Sequence, residues 1–137
     1  MWPLLGSSLL SATQTNLVKI TLKPVIRHGD FARWNLLRQS DGSLIVLDWE
    51  WGVASGMPGI DLVHFFAQDA RLVKRLTPHA VVRSVEQSLG RGDCQDYLAA
   101  TGWQGEARVV ILAGMAFTVG AKQQANEAVL AALLETW

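Results

Sequence analysis

The sequence predicts a single α+β domain, residues 1–137, that is mainly helical and carries one β-hairpin on a helical body. Residues 36–38 and 44–47 are short apolar runs on either side of a polar segment containing Asp41-Gly42, which is the pattern of a hairpin. Residues 109–121 are uncharged and mostly apolar. Because this run is much shorter than the roughly 20 residues needed to cross a bilayer, it predicts a buried helix. A hydrophobic content of 50% and a charged content of 18% suit one globular core.

The other elements follow from glycine and proline breakers and from apolar periodicity. We expect a strand over residues 25–27, a loop over 52–59, and helices over 9–22, 62–76, 78–89, 93–100, from 105 through 121, and 125–134. Asp61 directly precedes the apolar run of the second of these helices. It is therefore expected to be the N-cap, accepting hydrogen bonds from the first backbone N–H groups.

The hairpin is expected to bring two oxygen ligands together. If Asp41 and Gly42 form a two-residue turn, Asn35 lies directly opposite Asp48, and opposed residues place their Cβ atoms about 4.5–5.5 Å apart on one face. A carboxamide oxygen and a carboxylate suit Mg²⁺, which keeps several waters and accepts substrate phosphates as further ligands. A slip of one residue would move one ligand to the other face. Asp30, shortly before Asn35, is close enough to supply a third oxygen ligand or a base.

Two segments resemble a known family of enzymes. Residues 25–30, Val-Ile-Arg-His-Gly-Asp, and residues 46–50, Val-Leu-Asp-Trp-Glu, are similar to the signature of the aminoglycoside phosphotransferase and choline kinase family. That signature is His-Gly-Asp, then Asn, then Ile/Leu-Asp-Trp/Phe-Glu. The members are small-molecule kinases with a protein-kinase-like fold. The resemblance implies the C-terminal catalytic lobe of that fold, with ATP as co-substrate and Mg²⁺ as cofactor.

The resemblance also implies a role for each matching residue. Asp30 would be the catalytic base, and Asn35 and Asp48 would hold Mg²⁺. His28 would brace the catalytic loop, and Asp61 would start a helix and hydrogen-bond back to that loop. Taken without the family, His28 is more often a satisfied core histidine and Asp61 a simple N-cap.

Arg33 departs from the family pattern, because many members have proline at this position. It adds a positive charge near the phosphates and is a candidate phosphate contact. His64 and His79 are expected to be a helix-surface residue and a helix-start residue.

Charge and cysteine content exclude several classes of protein. Twelve basic residues balance twelve acidic ones, so the chain lacks the basic surface typical of partners of nucleic acid or of anionic membranes. A single cysteine, Cys94, rules out an internal disulfide and a multi-cysteine zinc site. These features favour a reduced, cytoplasmic setting.

Two hypotheses about function remain at this point. Only 27 residues precede His28, and they contain no Gly-rich loop, so we expect the small ATP-clamping lobe to be absent from this sequence. The first hypothesis is the catalytic lobe of a kinase that phosphorylates a hydroxyl of a small acceptor. Such a lobe would be inactive as an isolated fragment and would need the missing N-terminal lobe or a partner chain. The second is a truncated, non-catalytic relative that acts as a binding or assembly module. The sequence does not specify the acceptor.

Overall fold

The computed structural model describes residues 21–103, 107–120 and 127–135, with only the backbone for residues 117–120. The described part is a mainly helical α+β fold, which confirms the predicted class. The helix predicted over residues 9–22 lies outside the described residues except at Thr21 and Leu22, where the chain is not helical.

Within the described residues, the strands are β1 (Val25–Arg27), β2 (Leu36–Arg38), β3 (Leu44–Val46) and β4 (Val53–Gly56). They form two antiparallel pairs, β1 with β4 and β2 with β3, so the predicted first strand and hairpin are confirmed. The segment that contains β4 was expected to be a loop because of its glycines and proline, and that expectation is wrong. A strand partner distant in sequence outweighs the low strand propensity of the segment.

The register of the hairpin differs from the prediction by one residue. Leu36 pairs with Val46, and beyond this pair the N–H of Leu47 donates to the carbonyl of Asn35 at 2.8 Å. Asn35 therefore lies opposite Leu47 and not opposite Asp48, and the predicted pairing of the two ligands is wrong.

The length of the turn explains the difference. The N–H of Gln39 donates to the carbonyl of Ser43 at 2.9 Å, which closes a loop of residues 40–42 in place of a two-residue turn. Gly42 has a φ of +88°, the left-handed conformation that ends this type of three-residue hairpin loop. The carboxylate of Asp41 accepts hydrogen bonds from the N–H and the hydroxyl of Ser43, at 2.9 and 2.7 Å. The sequence offered two compatible turns, and the side chain of Asp41 favours the longer one.

The described helices are α1 (Ile60–Gln68), α2 (Pro78–Leu89), α3 (Gly92–Ala100), α4 (Ala107–Gly120) and α5 (Glu127–Glu135). A π-helical turn, Asp69–Val73, continues α1, and a 3₁₀ turn, Arg33–Asn35, precedes β2. The helices predicted over 62–76, 78–89 and 93–100 are confirmed in kind, with ends that differ by up to three residues. Those predicted over 105–121 and 125–134 are confirmed over 107–120 and 127–134, and residues 105–106, 121 and 125–126 lie outside the described residues.

The hydrophobic core lies between α1, α2, α4 and α5. Its largest fully buried side chains include Leu89, Ile111, Met115, Leu130 and Leu133. The predicted burial of the apolar run is thus confirmed over residues 110–115, and the side chains of residues 117–121 lie outside the described part of the chain. Complete burial of an aliphatic side chain is worth about 1.5–3 kcal/mol, so this core fixes α1 firmly against the helical body. Among the described helices, none combines the length and the apolar character that a membrane crossing requires.

Candidate active site

The loop between β1 and β2, residues 28–35, lies along one face of α1. We call this segment the catalytic loop, after the role that the sequence resemblance implies for it. Its contacts follow the order of the helix: His28 and Gly29 meet Asp61, Asp30 meets His64, Phe31 meets Phe65, and Arg33 meets Asp69 just beyond the end of α1. The core holds the helix, and the helix in turn positions the loop.

Asp61 binds the backbone of the catalytic loop. Its Oδ2 accepts a hydrogen bond from the N–H of His28 at 2.6 Å, and its Oδ1 accepts one from the N–H of Gly29 at 3.2 Å. The N-cap residue of α1 is Gly59, and no described side chain caps the helix, so the predicted N-cap role of Asp61 is wrong. The carboxylate lies in the first helical turn and points to the loop, where hydrogen bonds to a charged acceptor are strong.

His28 connects the catalytic loop to the end of the hairpin. It is 2% exposed, and its Nε2 lies 2.7 Å from the carbonyl of Leu47. Its Nδ1 accepts a hydrogen bond from the N–H of Asp30 at 3.2 Å. The ring is therefore neutral, with its proton on Nε2, where it donates to Leu47. This arrangement fixes the residue that directly precedes Asp48.

The carboxylate of Asp30 is held on both sides and remains accessible. Its Oδ1 lies 2.9 Å from Nε2 of His64, and its Oδ2 accepts a hydrogen bond from Nδ2 of Asn35 at 3.2 Å. The side chain is 31% exposed, whereas that of His64 is 2% exposed. Two buried donors thus orient a carboxylate that a solute can reach.

Asn35 is buried at the start of the hairpin, with 7% exposure. Its Nδ2 donates to the carbonyl of Asp30 at 2.8 Å and to the Asp30 carboxylate at 3.2 Å. Because the amide nitrogen is engaged in this way, Oδ1 is the atom left for a cation. An amide oxygen held in place is a suitable ligand for Mg²⁺.

Asp48 follows β3 and has an unusual backbone. Its φ is +62°, which is uncommon for a residue other than glycine. The side chain is exposed, and no described residue forms a hydrogen bond or an ion pair with its carboxylate. The described part of the chain holds no cluster of three or more His, Cys, Asp or Glu side chains fit for a metal. Near the end of the hairpin, the amide oxygen of Asn35 and the carboxylate of Asp48 are thus two oxygen groups without a partner among the described residues.

Arg33 forms an ion pair at the end of α1. Its Nη2 lies 2.6 Å from Oδ1 of Asp69, and Nζ of Lys74 lies 3.3 Å from Oδ2 of the same residue. The Asp69 side chain is 9% exposed and that of Arg33 is 61% exposed. The guanidinium thus ties the catalytic loop to α1 while much of it stays in solvent.

Two residues of this site were not expected from the sequence. His64, expected on the helix surface, is buried against Asp30, so that expectation is wrong. Asp69, which received no role, binds Arg33. A signal for both was available, because they follow Asp61 by three and eight residues, the spacing of one helical face.

Comparison with known proteins identifies a matching family. The family model described as the phosphotransferase enzyme family matches residues 6–104, which include the catalytic loop, the hairpin and α1. No curated protein and no solved structure matches the chain. The match covers well over half of the sequence and agrees with the resemblance found in the residues around Asp30 and Asp48. The chain belongs to the phosphotransferase enzyme family.

Proposed function

We propose that this chain is the catalytic lobe of an ATP-dependent small-molecule kinase, with the protein-kinase-like fold, that transfers a γ-phosphate to a hydroxyl group. Family membership supports phosphotransfer in general. The observation that carries the finer proposal is the Asp30 carboxylate, which buried His64 and Asn35 hold while 31% of the side chain stays exposed. A general base must combine a fixed orientation with access for the substrate.

In the proposed reaction, Asp30 accepts the proton of the acceptor hydroxyl. The acceptor oxygen bonds to the γ-phosphorus as the bond between that phosphorus and ADP breaks. Phosphoryl transfer depends mainly on positioning and on neutralising charge. Asp61 and His28 serve positioning, because their hydrogen bonds fix the backbone on both sides of Gly29.

Asn35 and Asp48 are the proposed ligands of Mg²⁺. The engaged amide nitrogen of Asn35 leaves its oxygen for a cation, and the Asp48 carboxylate has no partner among the described residues. Both are hard oxygen donors of the type that Mg²⁺ prefers. When bound, the cation neutralises charge on the phosphates of ATP. Arg33, with its guanidinium largely in solvent, is the proposed further phosphate contact.

A second candidate function is a non-catalytic binding or assembly module. One observation favours it: the strands and the loop after β3 expose several large apolar side chains, namely Ile26, Leu37, Leu44, Leu47, Trp49 and Trp51. Exposed apolar patches mark interaction surfaces. In this alternative, a protein partner covers the strands and no phosphate is transferred.

The test is acceptor-dependent formation of ADP from Mg-ATP with a panel of hydroxyl-bearing small molecules. It uses the full chain, alone and with a separately supplied small lobe. Asp30→Asn should lower turnover by about 100-fold or more and leave ATP affinity unchanged, because the carboxylate acts on the acceptor. His79→Ala is the control, since His79 is exposed and pairs with Glu135. Full turnover in Asp30→Asn would contradict the assignment of the base. Binding of a protein partner without any turnover would favour the module.

A further inference from the structure

His64 has a place in the site that neither the family signature nor the composition assigned. It lies on α1 one turn after Asp61, is 2% exposed, and places Nε2 at 2.9 Å from Oδ1 of Asp30. It is thus a second contact from the same helical face to the catalytic loop. Asp61 holds the backbone of the loop, and His64 holds the side chain of the proposed base.

The surroundings of the imidazole define its protonation. Nδ1 of His64 is buried and has no hydrogen-bond partner among the described residues. A buried N–H without an acceptor is strongly unfavourable, whereas an unused lone pair is better tolerated. The proton therefore lies on Nε2, and the neutral ring donates a hydrogen bond from this N–H to the Asp30 carboxylate. A doubly protonated ring would bury a second N–H with no acceptor.

Two donors from different elements fix the carboxylate. His64 on α1 binds Oδ1, and Asn35, at the end of the 3₁₀ turn that precedes β2, binds Oδ2. A carboxylate has about four lone-pair positions, so two remain for an incoming hydroxyl. The torsion that turns a free carboxylate is broad, and the two hydrogen bonds restrict it. The exposed lone pairs of Asp30 are thereby held in one direction.

We propose that neutral His64 is a positioning residue that holds the Asp30 carboxylate in the orientation in which it accepts the hydroxyl proton of the acceptor. This inference rests on the proposed function. It assigns a role to a buried histidine that acts through Asp30.

The kinetic test compares two replacements. His64→Leu removes the donor and keeps an apolar side chain in the buried site, so kcat should fall about 10- to 100-fold with the KM for ATP unchanged. His64→Gln places an amide nitrogen as many bonds from Cα as Nε2, so it should recover part of the lost kcat. The matched control, His79→Leu, changes an exposed histidine and should keep wild-type kcat. A His64→Leu enzyme with kcat within twofold of wild type would overturn the proposal. A loss of activity that came from a higher KM for ATP, with kcat unchanged, would overturn it as well.

A second test does not need turnover. Long-range ¹H–¹⁵N correlation spectra of the full wild-type chain should show a His64 ring with a protonated Nε2 and an unprotonated Nδ1. Asp30→Ala should shift these signals, and Asp48→Ala should leave them in place. A proton on Nδ1, or no response to Asp30→Ala, would refute the inferred contact. If wild type transfers no phosphate to any acceptor, either alone or with a separately supplied small lobe, the proposed function fails, and the spectra still decide whether His64 donates to Asp30.

Discussion

The catalytic loop packs so closely against the loop after β3 that a single methyl group at Gly29 should disrupt it. Gly29 has a φ of +90°, and a Cβ at this position would lie 2.5 Å from the carbonyl oxygen of Trp51 and 2.7 Å from its Cβ. Such atoms essentially never approach within 3.0 Å, so backbone would have to move in Gly29→Ala. The replacement therefore combines conformational strain with a steric clash.

Gly42 allows the two effects to be separated. It has nearly the same φ, +88°, but no described atom lies within 4 Å of the position that an added methyl group would take. Gly42→Ala should thus carry the conformational cost alone, about 1–2 kcal/mol. Gly29→Ala adds the clash, for which overpacking values of about 1–3 kcal/mol apply, giving a total of about 2–5 kcal/mol.

The assay is urea unfolding of the two variants and wild type, followed by circular dichroism. We expect the midpoint to be lower in Gly42→Ala than in wild type and lowest in Gly29→Ala, with similar denaturant slopes. Equal midpoints in the two variants would show that Trp51 does not restrict Gly29, and the close contact between the two loops would be refuted.

Two further predictions concern the site. Asp48→Asn should weaken Mg-nucleotide binding in calorimetric titrations, because the metal loses a charged ligand, and unchanged affinity would exclude Asp48 as a ligand. Asp61→Ala should destabilise the fold by about 3 kcal/mol, because the N–H groups of His28 and Gly29 lose a charged acceptor. Asp93→Ala, in the first turn of α3 and exposed, is the control, and a matching unfolding midpoint for the two variants would count against the role of Asp61.

Local signals in the sequence predicted the elements that depend on local chemistry. The apolar run of α4, the Thr77-Pro78 start of α2 and the polar turn of the hairpin each specify structure within a few residues. β4 was missed because its partner, β1, lies far away in sequence and its own composition indicates a loop. The register was missed because an Asp-Gly pair fits both a two-residue and a three-residue turn.

The site residues also divide into those that the local sequence predicts and those that depend on an element distant in sequence. The residues of the catalytic loop carry a recognisable spacing, so Asp30 and Asn35 were identified from the sequence, although their roles remain proposals. His64 was missed because a histidine on an amphipathic helix is ambiguous until the facing element is known. Once Asp61 is taken to contact the loop, helical geometry places the residue three positions later beside the same loop. The face of α1 then predicts a side-chain contact that the motif alone does not.

The register error bears on the metal hypothesis, but the backbone of Asp48 limits its effect. If β3 continued in regular alternation, Asp48 would point to the face away from Asn35. The φ of +62° ends that alternation, so the alternation of side chains along a strand no longer determines which way the Asp48 side chain points. A left-handed residue other than glycine costs about 1–2 kcal/mol and persists where neighbours hold it. Here both backbone groups of Leu47, the residue before Asp48, form hydrogen bonds. Its carbonyl accepts one from the ring of His28, and its N–H donates one to the carbonyl of Asn35. The backbone on the N-terminal side of Asp48 is thus fixed by the catalytic loop, while its exposed carboxylate has no partner among the described residues, so the change of register leaves Asp48 available for the proposed ligand role.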